Sequence, residues 1–98
     1  MILNKIKKLI VKQHPKKKYI YAVTTGKYVG ELLVYMKTED TMHSFLSIPA
    51  MSIRDIPAEN FNTGIQNNIV EVVEKLPSKV FNVCKLQYAK NNCNLVKH

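Results

Sequence analysis

Residues 19–48 constrain the fold more than any other part of the chain. Tyr19–Thr24, Tyr28–Lys37 and Met42–Ile48 are rich in aromatic and β-branched residues, with Thr25-Gly26 between the first two, Thr38–Thr41 forming the second turn, and Pro49 closing the last. Connections this short permit only antiparallel pairing, because a parallel pair needs a crossover of a dozen or more residues. The stretch therefore predicts a three-stranded antiparallel meander. With Thr25 and Gly26 at the centre of the first turn, Tyr21 faces Gly30, Val23 faces Tyr28 and Tyr19 faces Leu32. That register gathers Tyr19, Tyr21, Val23, Leu32, Val34 and Met36 on the face expected to form the core, with Gly30 making room for Tyr21. A slip of one residue would reverse the faces.

The flanks read as helices. Ile2, Leu3, Ile6, Leu9 and Ile10 recur at helical spacing, with Lys5, Lys8 and Lys12 opposite. This helix is expected to stop by His14, because Pro15 disfavours helical geometry in the residue before it. After the sheet, residues 49–57 are expected to be irregular, with Met51, Ile53 and Ile56 tucked inward. Thr63 and Gln66 have capping-box spacing, and Ile65, Ile69, Val72, Val73 and Leu76 form an apolar stripe, predicting a second helix that Pro77 ends. Glu71 and Lys75 would lie one turn apart on it. Ser78 caps a third helix through Val80, Phe81, Cys84 and Tyr88, ending near Asn91-Asn92, although Val80–Cys84 also fits a strand. The expected fold is α+β, a single domain in the order α-β-β-β-α-α. Residues 1–18 supply a basic helix and lysine linker, 19–48 the sheet, and 49–98 a loop and the C-terminal helices.

Charge narrows the functional classes. The chain has 98 residues, 46% of them apolar, and a net charge of +8. This is enough to build one modest core, and no apolar run approaches the roughly 18 residues of a membrane span. Residues 1–18, 19–78 and 79–98 carry +7, −3 and +4, so two basic ends flank a mildly acidic middle. Arg54 is the sole arginine. Lysine is a point charge suited to phosphate or acidic protein surfaces, whereas reading of guanine edges usually relies on arginine.

No catalytic or metal-binding pattern stands out. His14, His43, Cys84, Cys93 and His98 show no zinc-like spacing. Pairing Cys84 with His43 would place a nucleophile on the expected buried stripe, where a free cysteine acts as a small hydrophobe. The carboxylates read as turn, helix-start and solvated-face residues, and Gly26, Gly30 and Gly64 fit no phosphate loop. The expectation is no enzyme, no cofactor and no metal. Two cysteines without a CxxC, and no signal-peptide pattern, point to reduced thiols and the cytoplasm. The abundance of Lys, Asn and Ile suits an AT-rich genome, such as a bacteriophage's.

These features lead to a small non-enzymatic accessory protein that binds nucleic acid, RNA or single strands rather than a specific DNA sequence, through lysine–phosphate contacts. The main patch would be Lys5, Lys8, Lys12, Lys16, Lys17 and Lys18, with Tyr19 beside it as an aromatic ring; Lys79, Lys85 and Lys90 would form a second. The hairpin register turns both Tyr19 and Tyr21 toward the core, which opposes base stacking on either. The junction at Pro77-Ser78 is a weak match to a helix-turn-helix, which commonly carries glycine there and reads bases with arginine. The alternative is an inhibitor or adaptor docking on an acidic protein surface, such as that of a host or toxin enzyme. Peripheral membrane contact by the first helix ranks below its packing on the sheet. Convergence of the two lysine clusters is the observation that would favour a polyanion site.

Overall fold

The computed structural model describes residues 14–97. The expected N-terminal helix, with Lys5, Lys8 and Lys12, lies outside the described residues. The chain forms β1 (Tyr19–Val23), β2 (Leu32–Glu39), β3 (Met42–Ile48), β4 (Ser52–Pro57), α1 (Ala58–Gln66), β5 (Val70–Lys75) and α2 (Ser78–Lys97). The strands make one antiparallel sheet in the order β4-β3-β2-β1-β5. The fold is α+β, as expected, but the meander has four strands and a fifth joins its far edge.

Both faces of the central strands are buried, whereas β5 is exposed beyond Val70. Ile20, Val34, Met36 and Leu46 pack against Phe81, Cys84 and Tyr88 of α2. Tyr21, Leu33 and Phe45 pack on the opposite face with Phe61 of α1 and Val70 of β5. Helix α1 thus carries the chain across one face from the β4 edge to the β5 edge. Helix α2 returns over the other face, from the start of β1 toward Met51, whose carbonyl accepts a hydrogen bond from Asn91 Nδ2 at 2.5 Å.

The first hairpin departs from the expected register. Tyr21 pairs with Leu33, and Ile20 with Val34. Its connection spans residues 24–31, where Gly26 and Gly30 take φ of +92° and +90°, left-handed values that strain any residue with a Cβ. Gly30 N–H donates to Val23 O at 2.9 Å, and Val23 N–H to Glu31 O at 2.9 Å. Gly30 therefore serves the loop's backbone and does not make room for Tyr21. The shift is an odd number of residues, so Tyr21 and Val34, expected on one face, stand on opposite faces.

Two further expectations fail. Residues 52–57 are not irregular but form β4, paired with β3 from Met42↔Pro57 to Ser47↔Ser52. The stripe from Ile65 to Leu76 is not one helix: α1 ends at Gln66 and β5 begins at Val70. Asn68 adopts φ of 60°, and Asn67, Asn68 and Ile69 N–H groups donate back to Thr63, Ile65 and Gly64 carbonyls. This is the left-handed stop that glycine or asparagine gives a helix. Thr63 lies inside α1 and caps nothing. Glu71 and Lys75 lie on a strand, paired to Ala22 and Tyr19. The third expected helix is present and runs through Lys97, so the strand alternative for Val80–Cys84 falls away. Among the described residues no helix is long and apolar enough to cross a membrane.

Candidate nucleic-acid interface

The start of β1, the end of β5 and the start of α2 meet at one corner of the sheet. Residues 16–19 form a tight turn in which Tyr19 N–H donates to Lys16 O at 3.3 Å and Lys18 takes φ of 71°. The turn is tied to its neighbours by Leu76 N–H donating to Lys18 O at 2.5 Å. Lys18 Nζ donates to Ser78 Oγ at 3.3 Å, and Tyr19 pairs with Lys75. The turn carrying Lys16, Lys17 and Lys18 is thus joined through Lys18 and Tyr19 to the segment carrying Lys75, Ser78 and Lys79, and positions some sixty residues apart meet at one corner.

Positive groups outnumber acids at this corner, where Glu74 is the neighbouring carboxylate on β5. The first turn of α2 holds no acidic residue but does hold Lys79. Helix N-termini carry about half a positive charge and unpaired N–H groups, so a lysine there opposes the dipole. The Lys18 ammonium adds a second like charge. Glu71 and Glu74, the acids of β5, pair with Ala22 and Ile20.

The remaining expected site residues do not all converge. Lys85 is about 10 Å from Ser78 along the helix axis and turned about 120° from Lys79; its Nζ lies 5.8 Å from the Phe81 ring centroid. Lys90 is about 18 Å from Ser78 along the axis and stands apart. Tyr19 is half-buried against the α1-side core, its ring edge-on to His14 at 6.1 Å. Tyr21 is 0% exposed, and burial pushes its hydroxyl up to about 12 against the opposing hydrogen bond from the Lys16 amide. Neither ring is an open stacking platform. Lys75 joins the corner although sequence reasoning placed it on a helix; the signal missed was Val70–Val73, three valines in four residues, a strand composition.

Arg54 is locked elsewhere. Its Nε and Nη2 donate to Glu31 Oε1 and Oε2 at 2.8 and 3.0 Å, Ser47 Oγ donates to Oε1 at 2.8 Å, and the guanidinium lies 4.7 Å from the Tyr28 ring centroid. Burial raises the Glu31 carboxyl, but the hydrogen bonds from Arg54 and Ser47 and the Arg54 charge outweigh it and hold the group below its ordinary value. The opposite corner of the β1-start end is acidic: Glu39, Asp40 and Asp55 rim an open cleft of about 360 Å³ floored by Ser44 and Tyr88. Lys37, paired with Glu39, is the one lysine in the lining of that cleft.

Cys84 and His43 stand on opposite sides of the sheet, Cys84 on the buried side of α2 and His43 edge-on to Phe45 and Phe61. Burial pushes the Cys84 thiol up, away from thiolate chemistry. Among the described residues no group of three or more His, Cys, Asp or Glu side chains could hold a metal ion. No protein-family model matches the chain, and neither a curated protein nor a solved structure does.

Proposed function

We propose that this chain is a non-enzymatic nucleic-acid-binding accessory protein that grips the phosphates of RNA or another single strand at the corner formed by Lys16, Lys17, Lys18, Lys75 and Lys79. The observation that carries the reading is the Lys18–Ser78 contact, which joins two basic segments at an acid-free helix N-terminus. Lysine suits phosphate contact without base reading, and the one arginine is held by Glu31. Lys85 extends the contact along α2, and Lys90 contributes little.

Binding of a fluorescent 20-nucleotide oligouridylate, titrated across salt, tests this. Affinity falls steeply with salt, with log K changing by about 0.7 per contacted phosphate for each tenfold salt change on a single strand. Lys18→Glu with Lys79→Glu weakens binding at least tenfold, whereas Lys90→Glu leaves it within twofold. Salt-insensitive binding, or equal losses in the two variants, overturns the proposal. A partner from lysate that survives nuclease digestion would instead support docking on an acidic protein.

A further inference from the structure

The basic turn is held by a buried hydrogen-bond network whose protons can be assigned. The Tyr21 hydroxyl lies 2.9 Å from the Lys16 amide nitrogen and 2.5 Å from His14 Nδ1. An amide N–H can only donate, so the hydroxyl oxygen accepts from Lys16. Donating the single phenolic proton to an unprotonated His14 Nδ1 leaves Nε2 alone without a partner among the described residues, whereas a proton on Nδ1 would orphan the phenolic hydrogen as well. In that arrangement the imidazole is neutral, with its proton on Nε2. His14 is 7% exposed, and Nε2 has no hydrogen-bond partner among the described residues.

We propose that His14, Tyr21 and the Lys16 amide form a proton-sensitive clasp that seats the basic turn, so that protonation of His14 releases residues 14–18 from the corner they share with Lys75 and Lys79. A proton at Nδ1 sets two donors against one another, and the phenolic proton must turn away from His14 and lose its partner. Among the described residues, the charge that acts on the new cation is that of Lys16, and no carboxylate does. On its own segment it meets Lys16, with Lys17 and Lys18 beyond; from β1 it meets Tyr19 and Tyr21, and Lys75 of β5 pairs with Tyr19. Tyr35 acts on Tyr21 from β2, while α1 presents Phe61. Glu71 and Glu74 pair with residues of the other sheet face. Burial, then the Lys16 charge, hold the His14 imidazole below its ordinary 6.5. A base lowered in the folded state favours the seated form above 6.5 and loses that support as pH falls through its lowered value.

The effect on polyanion binding rests on the function proposed above; the clasp does not. Nuclear magnetic resonance of the full chain, labelled with ¹⁵N, follows the His14 ring and the Lys16 amide from pH 8 to pH 5. His14 titrates below an ordinary histidine, and Lys16 amide exchange, corrected for its intrinsic pH dependence, accelerates at least tenfold through that midpoint while the Leu46 amide does not. Tyr21→Phe leaves the Lys16 amide unprotected at pH 7.5, and His14→Gln, which cannot titrate, makes Lys16 exchange independent of pH. His43→Gln keeps the transition, separating the other imidazole on this face. Lys16 protection unchanged across the range, or a transition that persists in His14→Gln, overturns the clasp even if oligouridylate binding stays salt-dependent. A transition in the wild type with oligouridylate affinity equal on both sides of it supports the clasp and overturns the placement of the phosphate site on this turn.

Discussion

The two faces of the sheet are covered by different means. The α2 face is aliphatic at its centre and lies under one long helix, with one buried polar pair among the described residues, Ser44 and Tyr88, whose hydroxyls are 2.6 Å apart. The α1 face is aromatic: Tyr21, Phe45 and Phe61 form its centre, with His14, Tyr19, Tyr35 and His43 around it. Its helix has only nine residues, too few to cover five strands. The ends left bare are covered by chain outside regular structure, the 14–18 turn on one side and Tyr28 over Arg54 on the other. A long helix makes a uniform cover; a short one leaves room for polar, titratable closures. The candidate interface grows from such a closure.

If the α1 face depends on its few rings, removing one should do the most damage. Phe45 and Phe61 stack at 5.1 Å with an interplanar angle of 29°, and both are almost fully buried. Phe61→Ala is expected to destabilise the fold by about 3–5 kcal/mol, through lost transfer energy and an unfilled cavity. Denaturant midpoints check this, and a loss below about 1 kcal/mol would break the view that the α1 face depends on its few rings.

The α2 face offers the next test. Tyr88→Phe keeps the ring and strands the Ser44 hydroxyl, which is buried. The expected loss is about 1–2 kcal/mol, the range for leaving a buried group unsatisfied. An unchanged midpoint would show that water replaces the Tyr88 hydroxyl at the mouth of the acidic cleft.

The difference between the faces also explains what the sequence could disclose. Strands β1 to β3 were legible because β-branched and aromatic runs alternate with turn residues, and α2 because Pro77-Ser78 marks its start. Edge strand β4 was hidden because its two faces mix character, Ile53 and Asp55 on one, Arg54 and Ile56 on the other. Strand β5 was hidden by its irregular pairing with β1, where Tyr21 meets Val72 and Ile20 meets Glu74. The extra residue, Val73, breaks the period of two and lets Ile69, Val72, Val73 and Leu76 mimic a helical stripe. The lysine segments of the candidate site were legible as composition. Their meeting was not, because it depends on the pairing of β5 with β1, which brings the start of α2 to the start of β1.

The smallest expected effects come from the ion pairs, one on each face. Glu31 is a mostly buried carboxylate with two hydrogen bonds from Arg54, whose side chain is 38% exposed. Lys37 and Glu39 pair at the cleft rim with side chains 48% and 70% exposed. Arg54→Met keeps the stem over Tyr28 and removes the charge; the expected loss at pH 7 is about 1 kcal/mol, reduced by the exposure of Arg54. Glu31 has a lowered value in the folded chain, so the stability it contributes is present above the ordinary 4.5 and fades as pH falls through the lowered value. The difference between wild type and Arg54→Met should therefore shrink toward zero in acid. Lys37→Met should leave the midpoint unchanged at every pH, because solvent screens the pair and the freed Glu39 carboxylate stays hydrated. Denaturant midpoints for both variants at pH 7 and pH 3 read the contrast. Equal losses would show that the Glu31 site is as wet as the cleft rim, and that Tyr28 and Arg54 do not close the α1 face at that end.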